Sequence, residues 1–204
     1  MEFQDVVRRR RMVRAYDPDR PVPGEVRERL LENALHAPSA GFSQGWAFLV
    51  LESAAERDRF WSATTDPAET DDPWMAGMRT APLIVAAFSN RSAYLDRYAE
   101  PDKGRTDRDE ARWPVPYWHI DTGFASLLML LTAVDAGLGA CFFGVPPDHR
   151  DKLHAAFGVP DEYSCIGAIT VGHRAQDRRS PSLRRGRRPV SAVVHRGTWG
   201  RHDR

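Results

Sequence analysis

Apolar residues along this chain fall into short continuous runs and longer stripes of helical spacing. Four runs have strand length: Trp46–Leu51 (WAFLVL), Pro82–Ser89 (PLIVAAFS), Ala140–Val145, and Tyr163–Gly172 with Ile166, Ala168, Ile169 and Val171. Unbroken apolarity over such lengths predicts buried strands. Val26, Leu30, Leu31, Ala34 and Leu35 instead recur at helical spacing behind Val22-Pro23-Gly24-Glu25, with Pro38 as the stop. Residues 3–12, Ala54–Ser62 and Pro147–Phe157 read as shorter helices. Tyr117–Ala136 is the longest, with Ile120, Phe124, Leu127, Leu128, Leu131 and Val134 apolar. These cover more than one stripe, which predicts burial on several sides; Gly137-Leu138-Gly139 ends the helix.

Between these elements the pattern changes character. Ala37-Pro38-Ser39-Ala40-Gly41-Phe42-Ser43-Gln44-Gly45 is a loop of small residues. Asn90–Pro116 is polar, highly charged and studded with aromatics (Tyr94, Tyr98, Trp113), which suits a lid better than a core. Val190–Trp199 reads as a last strand or an arm. The expected fold is an α+β sandwich: a mostly antiparallel sheet with helices on both faces. It forms one domain over residues 1–204, with a lid insertion at about 90–116 and a C-terminal arm at about 174–204.

Composition narrows the class. Of 204 residues, 42% are hydrophobic, enough for one sizeable core, and no apolar stretch is long enough to span a bilayer. The N-terminal residues lack a secretory apolar segment, and Cys141 and Cys165 sit in apolar surroundings that favour reduced thiols. The expectation is a cytoplasmic protein. With 29 basic and 28 acidic residues the balance is near neutral, which argues against a nucleic-acid binder, yet the basic residues are clustered. Arg8-Arg9-Arg10-Arg11 is followed by Arg14, and six arginines lie between Arg178 and Arg188. For the second run a solvated tail is the simpler account. The first needs an anion, solvent or an acidic neighbour to offset its self-repulsion.

Several motifs fail on context. Gly137-Leu138-Gly139 follows a helix and precedes a strand, the reverse of a dinucleotide fingerprint. Asp121-Thr122-Gly123 lies inside a helix and is no protease triplet, His119 reads as a capping or lining group, and the histidines show no ligand spacing. No metal site and no catalytic acid–base residue is nominated. Four segments survive: Arg10, Arg11, Met12 and Arg14; the Pro38-Ser39-Ala40-Gly41 turn; Phe142-Phe143-Gly144-Val145 at a strand end; and Arg185 and Arg187 in the tail. Together they could hold a phosphate at one end and a flat heterocycle at the other, because arginine offers fixed forks that match phosphate oxygens.

At these positions the chain resembles the FMN-dependent nitroreductase superfamily. Arg10-Arg11-Met12-Val13-Arg14-Ala15-Tyr16 is similar to that family's Arg-Arg-Ser-x-Arg-x-Phe. Ala37 to Trp46 is similar to its Ala-Pro-Ser-x-x-Asn-x-Gln-Pro-Trp. Met12 stands where the family has serine, Phe42 where it has asparagine, and Gly45 where it has proline. The resemblance implies a three-layer sandwich and a homodimer with FMN at each subunit interface. It implies that Arg10, Arg11, Met12 and Arg14 hold the phosphate and ribityl end, with Arg187 and Arg185 closing from the arm. The partner's Pro38, Ser39, Ala40 and Gly41 would pack on the ring, and Phe143, Gly144 and Val145 would offer backbone groups to its reactive edge. NAD(P)H would reduce the flavin, and a small aromatic, quinone or nitro acceptor would reoxidise it in a ping-pong cycle. Phe42, Tyr94, Tyr98, Lys103 and Trp113 are the substrate candidates. The Pro-Ser-x-Gly-Phe-x-Gln string is also similar to the flavin-destroying branch, and the lid's Tyr94, Tyr98 and Lys103 to the reductive dehalogenase branch. A non-catalytic flavin-binding protein is the remaining alternative.

Overall fold

The computed structural model describes residues 1–66, 72–176 and 180–202. Its centre is a four-stranded antiparallel sheet of β1 (Trp46–Leu51), β2 (Leu83–Asn90), β3 (Gly139–Phe143) and β4 (Tyr163–Gly172), in the spatial order β1-β2-β4-β3. The helices are α1 (Phe3–Arg9), α2 (Gly24–Leu35), α3 (Ala54–Thr64), α4 (Pro73–Arg79), α5 (Arg91–Ala99), α6 (Tyr117–Asp135) and α7 (Arg150–Phe157).

Helices cover both faces, so the chain is a three-layer α+β sandwich. On one face Val26, Leu30 and Ala34 of α2 and Met129 and Ala133 of α6 pack on Leu83, Val85, Ile169 and Val171. On the other, Phe60 and Trp61 of α3, Met75 and Met78 of α4 and Leu153 of α7 pack on Ile84, Ala86 and Phe88. β2 therefore sends alternate side chains into two cores, which is why its sequence is unbroken apolar rather than alternating.

Of four differences from the sequence reading, the first three have local causes. The first helix stops at Arg9 instead of running to residue 12, because the next residues extend along β3: Met12 bridges Ala140, and Val13 N–H donates to the Ala140 carbonyl at 3.0 Å. The polar insertion begins with a helix, α5, whose start is capped by the Asn90 side chain accepting from Ala93 N–H at 3.1 Å. α4 went unread; Pro73 at its first turn and the Asp72 cap start it. The tail from Val190 to Trp199 contains a short 3-10 turn and no strand.

Candidate functional site

The residues after α1 alternate between buried anchors and arginines that line a groove. Val13 and Tyr16 are buried, at 0% and 2% exposure. The Tyr16 hydroxyl donates to the Val13 carbonyl at 2.6 Å and lies 2.9 Å from Thr170 Oγ1, so the segment folds back on its own anchor. The Tyr16 N–H is held by Thr80 Oγ1 at the end of α4 (3.0 Å), and Asp17 N–H by the His173 carbonyl. With those positions fixed, Arg10, Arg11 and Arg14 face a groove of about 440 Å³. Its other walls are Arg8, Arg9, Met12 and, from the C-terminal arm, Ser180, Ser182, Leu183 and Arg187.

Among the described residues, six of the ten that line the groove are arginines and none is acidic. Arg8, Arg9, Arg10 and Arg11 make no ion pair with any described acid. Arg10 Nη1 is buried without a hydrogen-bond partner, an uncompensated donor on a charged group. Arg174 adds a further cation: it donates to the Leu138 carbonyl through Nε and Nη2. Burial, and then the charges of Arg11 and Arg9, push its pKa down. Such a field favours an anion strongly.

Met12 joins the groove to the sheet, its sulfur accepting from Phe142 N–H at 3.5 Å. At the next residue, the Phe143 ring stacks on Trp61 (5.6 Å, 15°) and meets Phe60 and Trp74 edge-on. Gly144 is exposed with open space where a side chain would be, and Val145 is buried again. The strand end thus presents bare backbone between two packed side chains.

The Pro38–Gly41 turn is built by other elements. Asp121 of α6 is 3% exposed, and one of its oxygens accepts from both Ala40 N–H and the Tyr94 hydroxyl, each at 2.8 Å. Arg97 Nε donates to the Gly41 carbonyl at 2.9 Å. Ser39 Oγ accepts from Gln44 N–H, and Ser43 Oγ donates to the Ala40 carbonyl. Gly41 has φ 63°, and Phe42 and Gln44 are also left-handed, at 57° and 49°. For a phenylalanine that conformation is costly, and its side chain is 73% exposed.

Residues 7–173 of the 204 match the model of the nitroreductase family. The chain belongs to the nitroreductase family. It is 27% identical over 200 residues to an Archaeoglobus fulgidus protein described as a candidate NADH dehydrogenase/NAD(P)H nitroreductase, covering 93% of this chain and 94% of that one. It is 26% identical over 190 residues to the NADH dehydrogenase of Thermus thermophilus, covering 83% and 85%. A candidate nitroreductase from Desulfovibrio desulfuricans, solved in complex with FMN, superposes with a TM-score of 0.71 at 26% identity over 98% of each chain. Family membership carries the coarse activity class of oxidoreductase.

Within this nitroreductase-family chain the sequence candidates separate. Arg10, Arg11, Met12, Arg14 and Arg187 share one groove, and Phe143 ends the strand that Met12 touches, with Gly144 and Val145 just beyond it. Arg8 and Arg9, expected at the surface, are exposed yet line the same groove. Arg185 ends a short turn, exposed, outside the groove lining. Arg178 and Arg179 lie outside the described residues. Pro38, Ser39, Ala40 and Gly41 share no lining with the groove in one chain.

Among the substrate candidates Tyr94 must be corrected: it is 0% exposed and bonded to Asp121, so it cannot touch a ligand. Burial, followed by the Asp121 carboxylate, holds its phenol well above the usual tyrosine range. Tyr98 and Trp113 are half-buried and pack edge-on at 4.7 Å, while Lys103 is exposed with its ammonium 5.4 Å from the Tyr98 ring. His119 is exposed at the start of α6, with its Nδ1 2.8 Å from Ser89 Oγ. Asp121, Arg97 and Arg174 were missed. The one readable signal was Asp121 itself, a carboxylate inside a mostly apolar helix.

Proposed function

We propose that this chain is an FMN-dependent oxidoreductase that takes a hydride from NAD(P)H and passes it to a small aromatic, quinone or nitro acceptor. The observation that carries the reading is the buried Arg10 Nη1, without a hydrogen-bond partner among the described residues, in a groove whose described lining is rich in arginine and holds no acid. A phosphate dianion fits that donor set, and Arg10, Arg11, Arg14 and Arg187 would hold it. Inorganic phosphate alone would fit as well. The second element of support is the family and the FMN complex of the Desulfovibrio protein.

When bound, FMN supplies the redox chemistry, accepting two electrons from the nicotinamide and releasing them to the acceptor. The residues of the chain bind and orient it. Met12 closes the groove floor against β3, and Phe143, Gly144 and Val145 would offer backbone groups to the ring, where N–H donors stabilise negative charge. No side chain is assigned a proton-transfer role.

Homodimerisation belongs to the same reading. Phe124 and Leu127 of α6 are each 44% exposed, Leu35 of α2 57%, and Phe3 of α1 66%, a set of large apolar side chains left uncovered by one chain. A second copy covering them would bring its Pro38–Gly41 turn to the groove, the role the family resemblance gives that turn. No described helix is long and apolar enough to cross a membrane.

The test is direct. Purified protein should be yellow or take up added FMN, bleach with NAD(P)H under anaerobic conditions, and recover its colour with one class among quinones, nitroaromatics, enones and halophenols. Colourless protein that ignores FMN overturns the reading. Bound FMN that NAD(P)H cannot reduce would make the chain a flavin carrier. Sedimentation should give twice the chain mass of 23.0 kDa.

A further inference from the structure

We infer that Tyr94, Arg97 and Asp121 are positioning residues: the insertion helix α5 sets the Pro38–Gly41 turn, and through it the flavin, instead of meeting the acceptor. The inference rests on the FMN reading above. Three residues of α5 converge on the turn at the helical spacing i, i+3, i+4, which puts them on one face. Tyr94 acts through Asp121, whose carboxylate oxygen holds Ala40 N–H and the Tyr94 hydroxyl together at 2.8 Å each. Arg97 takes the next carbonyl, Gly41 O, at 2.9 Å. Its own guanidinium is braced by a bidentate pair to Asp102, 2.7 Å on each nitrogen. Tyr98 lies against the Gly41 backbone, where a Cβ would stand 2.6 Å from its ring.

The glycine pattern shows that this packing is built in. At Gly45, a Cβ would come within 2.6 Å of the Tyr94 ring and 2.8 Å of the Asn90 carbonyl. This is the position where the related motif carries proline, whose ring would occupy that space. Gly41 and Gly45 therefore flank the turn with two gaps, each filled by a tyrosine of α5. A lid that only covered substrate would need neither. Charge-assisted hydrogen bonds to Ala40 N–H and Gly41 C=O hold the two peptide groups on either side of the Ala40–Gly41 peptide.

The experiment uses the full chain with FMN and compares wild type with Tyr94→Phe, Arg97→Met, the double variant and Asp121→Asn. Tyr94→Phe removes one oxygen and keeps the packed ring, so it folds even where a bolder change fails. Tyr94→Phe and Arg97→Met should each weaken FMN binding about 3- to 10-fold and shift the flavin absorption envelope and midpoint potential. Their combined effect should differ from the product, because both act on one turn. Asp121→Asn keeps an acceptor oxygen but removes the charge from both bonds, and should weaken FMN binding at least as much as Tyr94→Phe. If the variants lower only the melting temperature of the apoprotein, with affinity, spectrum and potential unchanged, the positioning role is overturned and the FMN reading stands. If wild type binds no FMN, both fall.

Discussion

Replacing Gly77 by alanine sets two effects of known size against each other at the back of the arginine groove. Gly77 lies in the interior of α4, where glycine costs about 0.8–1 kcal/mol relative to alanine, so helix propensity alone says the change stabilises. The helix, however, rests on the segment that carries the arginines. A Cβ on Gly77 would sit far inside contact distance of the Arg14 carbonyl oxygen, a backbone atom that cannot rotate away. Carbon–oxygen contacts normally lie near 3.3–3.6 Å, so that peptide must retreat by on the order of 1 Å. Its neighbours resist: Tyr16 N–H is tied to Thr80 Oγ1, and Tyr16 itself is buried and bonded to Val13 and Thr170. Overpacking of this kind costs about 1–3 kcal/mol, which offsets the propensity gain at its lower end and exceeds it above, a net loss of up to about 2 kcal/mol. For a chain of this size that lowers the melting temperature by up to about 8 °C. The displaced peptide belongs to Arg14, so FMN affinity should fall with it. Thermal unfolding with and without FMN, together with an FMN titration, measures both. A variant that melts at or above wild type and binds FMN equally well would show that the contact relaxes freely and that α4 does not set the groove.

Arg10→Ala should weaken FMN about 10- to 100-fold, the range for hydrogen bonds to a charged group, whereas Arg8→Ala at the exposed rim should change affinity less than 3-fold; equal losses in fluorescence titrations would mean the wrong arginines were chosen. Partial desolvation, and then the charge of Arg150, lowers the pKa of His119 below its ordinary value, although the residue is exposed. The folded chain thus binds fewer protons there than the unfolded one, so its contribution is intact above the unfolded pKa of about 6.5 and is lost as pH falls toward the folded value. Denaturant unfolding at pH 5 to 7 should show a slope that His119→Gln reduces. Cys141 and Cys165 are 2% and 3% exposed, and burial raises the Cys165 thiol above its usual range; a maleimide should label neither in the native chain and both after unfolding.

How far the sequence could be read depended on how many faces of an element were buried. β2 and α6 were legible because each packs on several sides, and an unbroken apolar run or a broad stripe can mean little else. The arginine segment was legible as chemistry but not as shape. Its helix was drawn too long because propensity continues past Arg9, while the competing attraction, the free edge of β3, lies about 130 residues away. α4 went unread because Pro73-Trp74-Met75-Ala76-Gly77-Met78-Arg79 has too few turns to show a period.

The chain order by itself determined the layers, the cluster of cations and the family motifs, since those follow from local pattern and composition. Which arginines share a groove, and what the lid's aromatics do, only the tertiary structure decided. Arg185 and Arg187 are indistinguishable in sequence; a turn ending in Gly186 at φ 66° separates them, and only Arg187 lines the groove. Tyr94 and Lys103 belong to one polar insertion, yet one is sealed against Asp121 and Gly45 and the other lies in solvent. The reason is common to both cases. Side-chain direction is set by contacts between segments far apart in the chain, and no local pattern encodes which distant glycine leaves room for which ring.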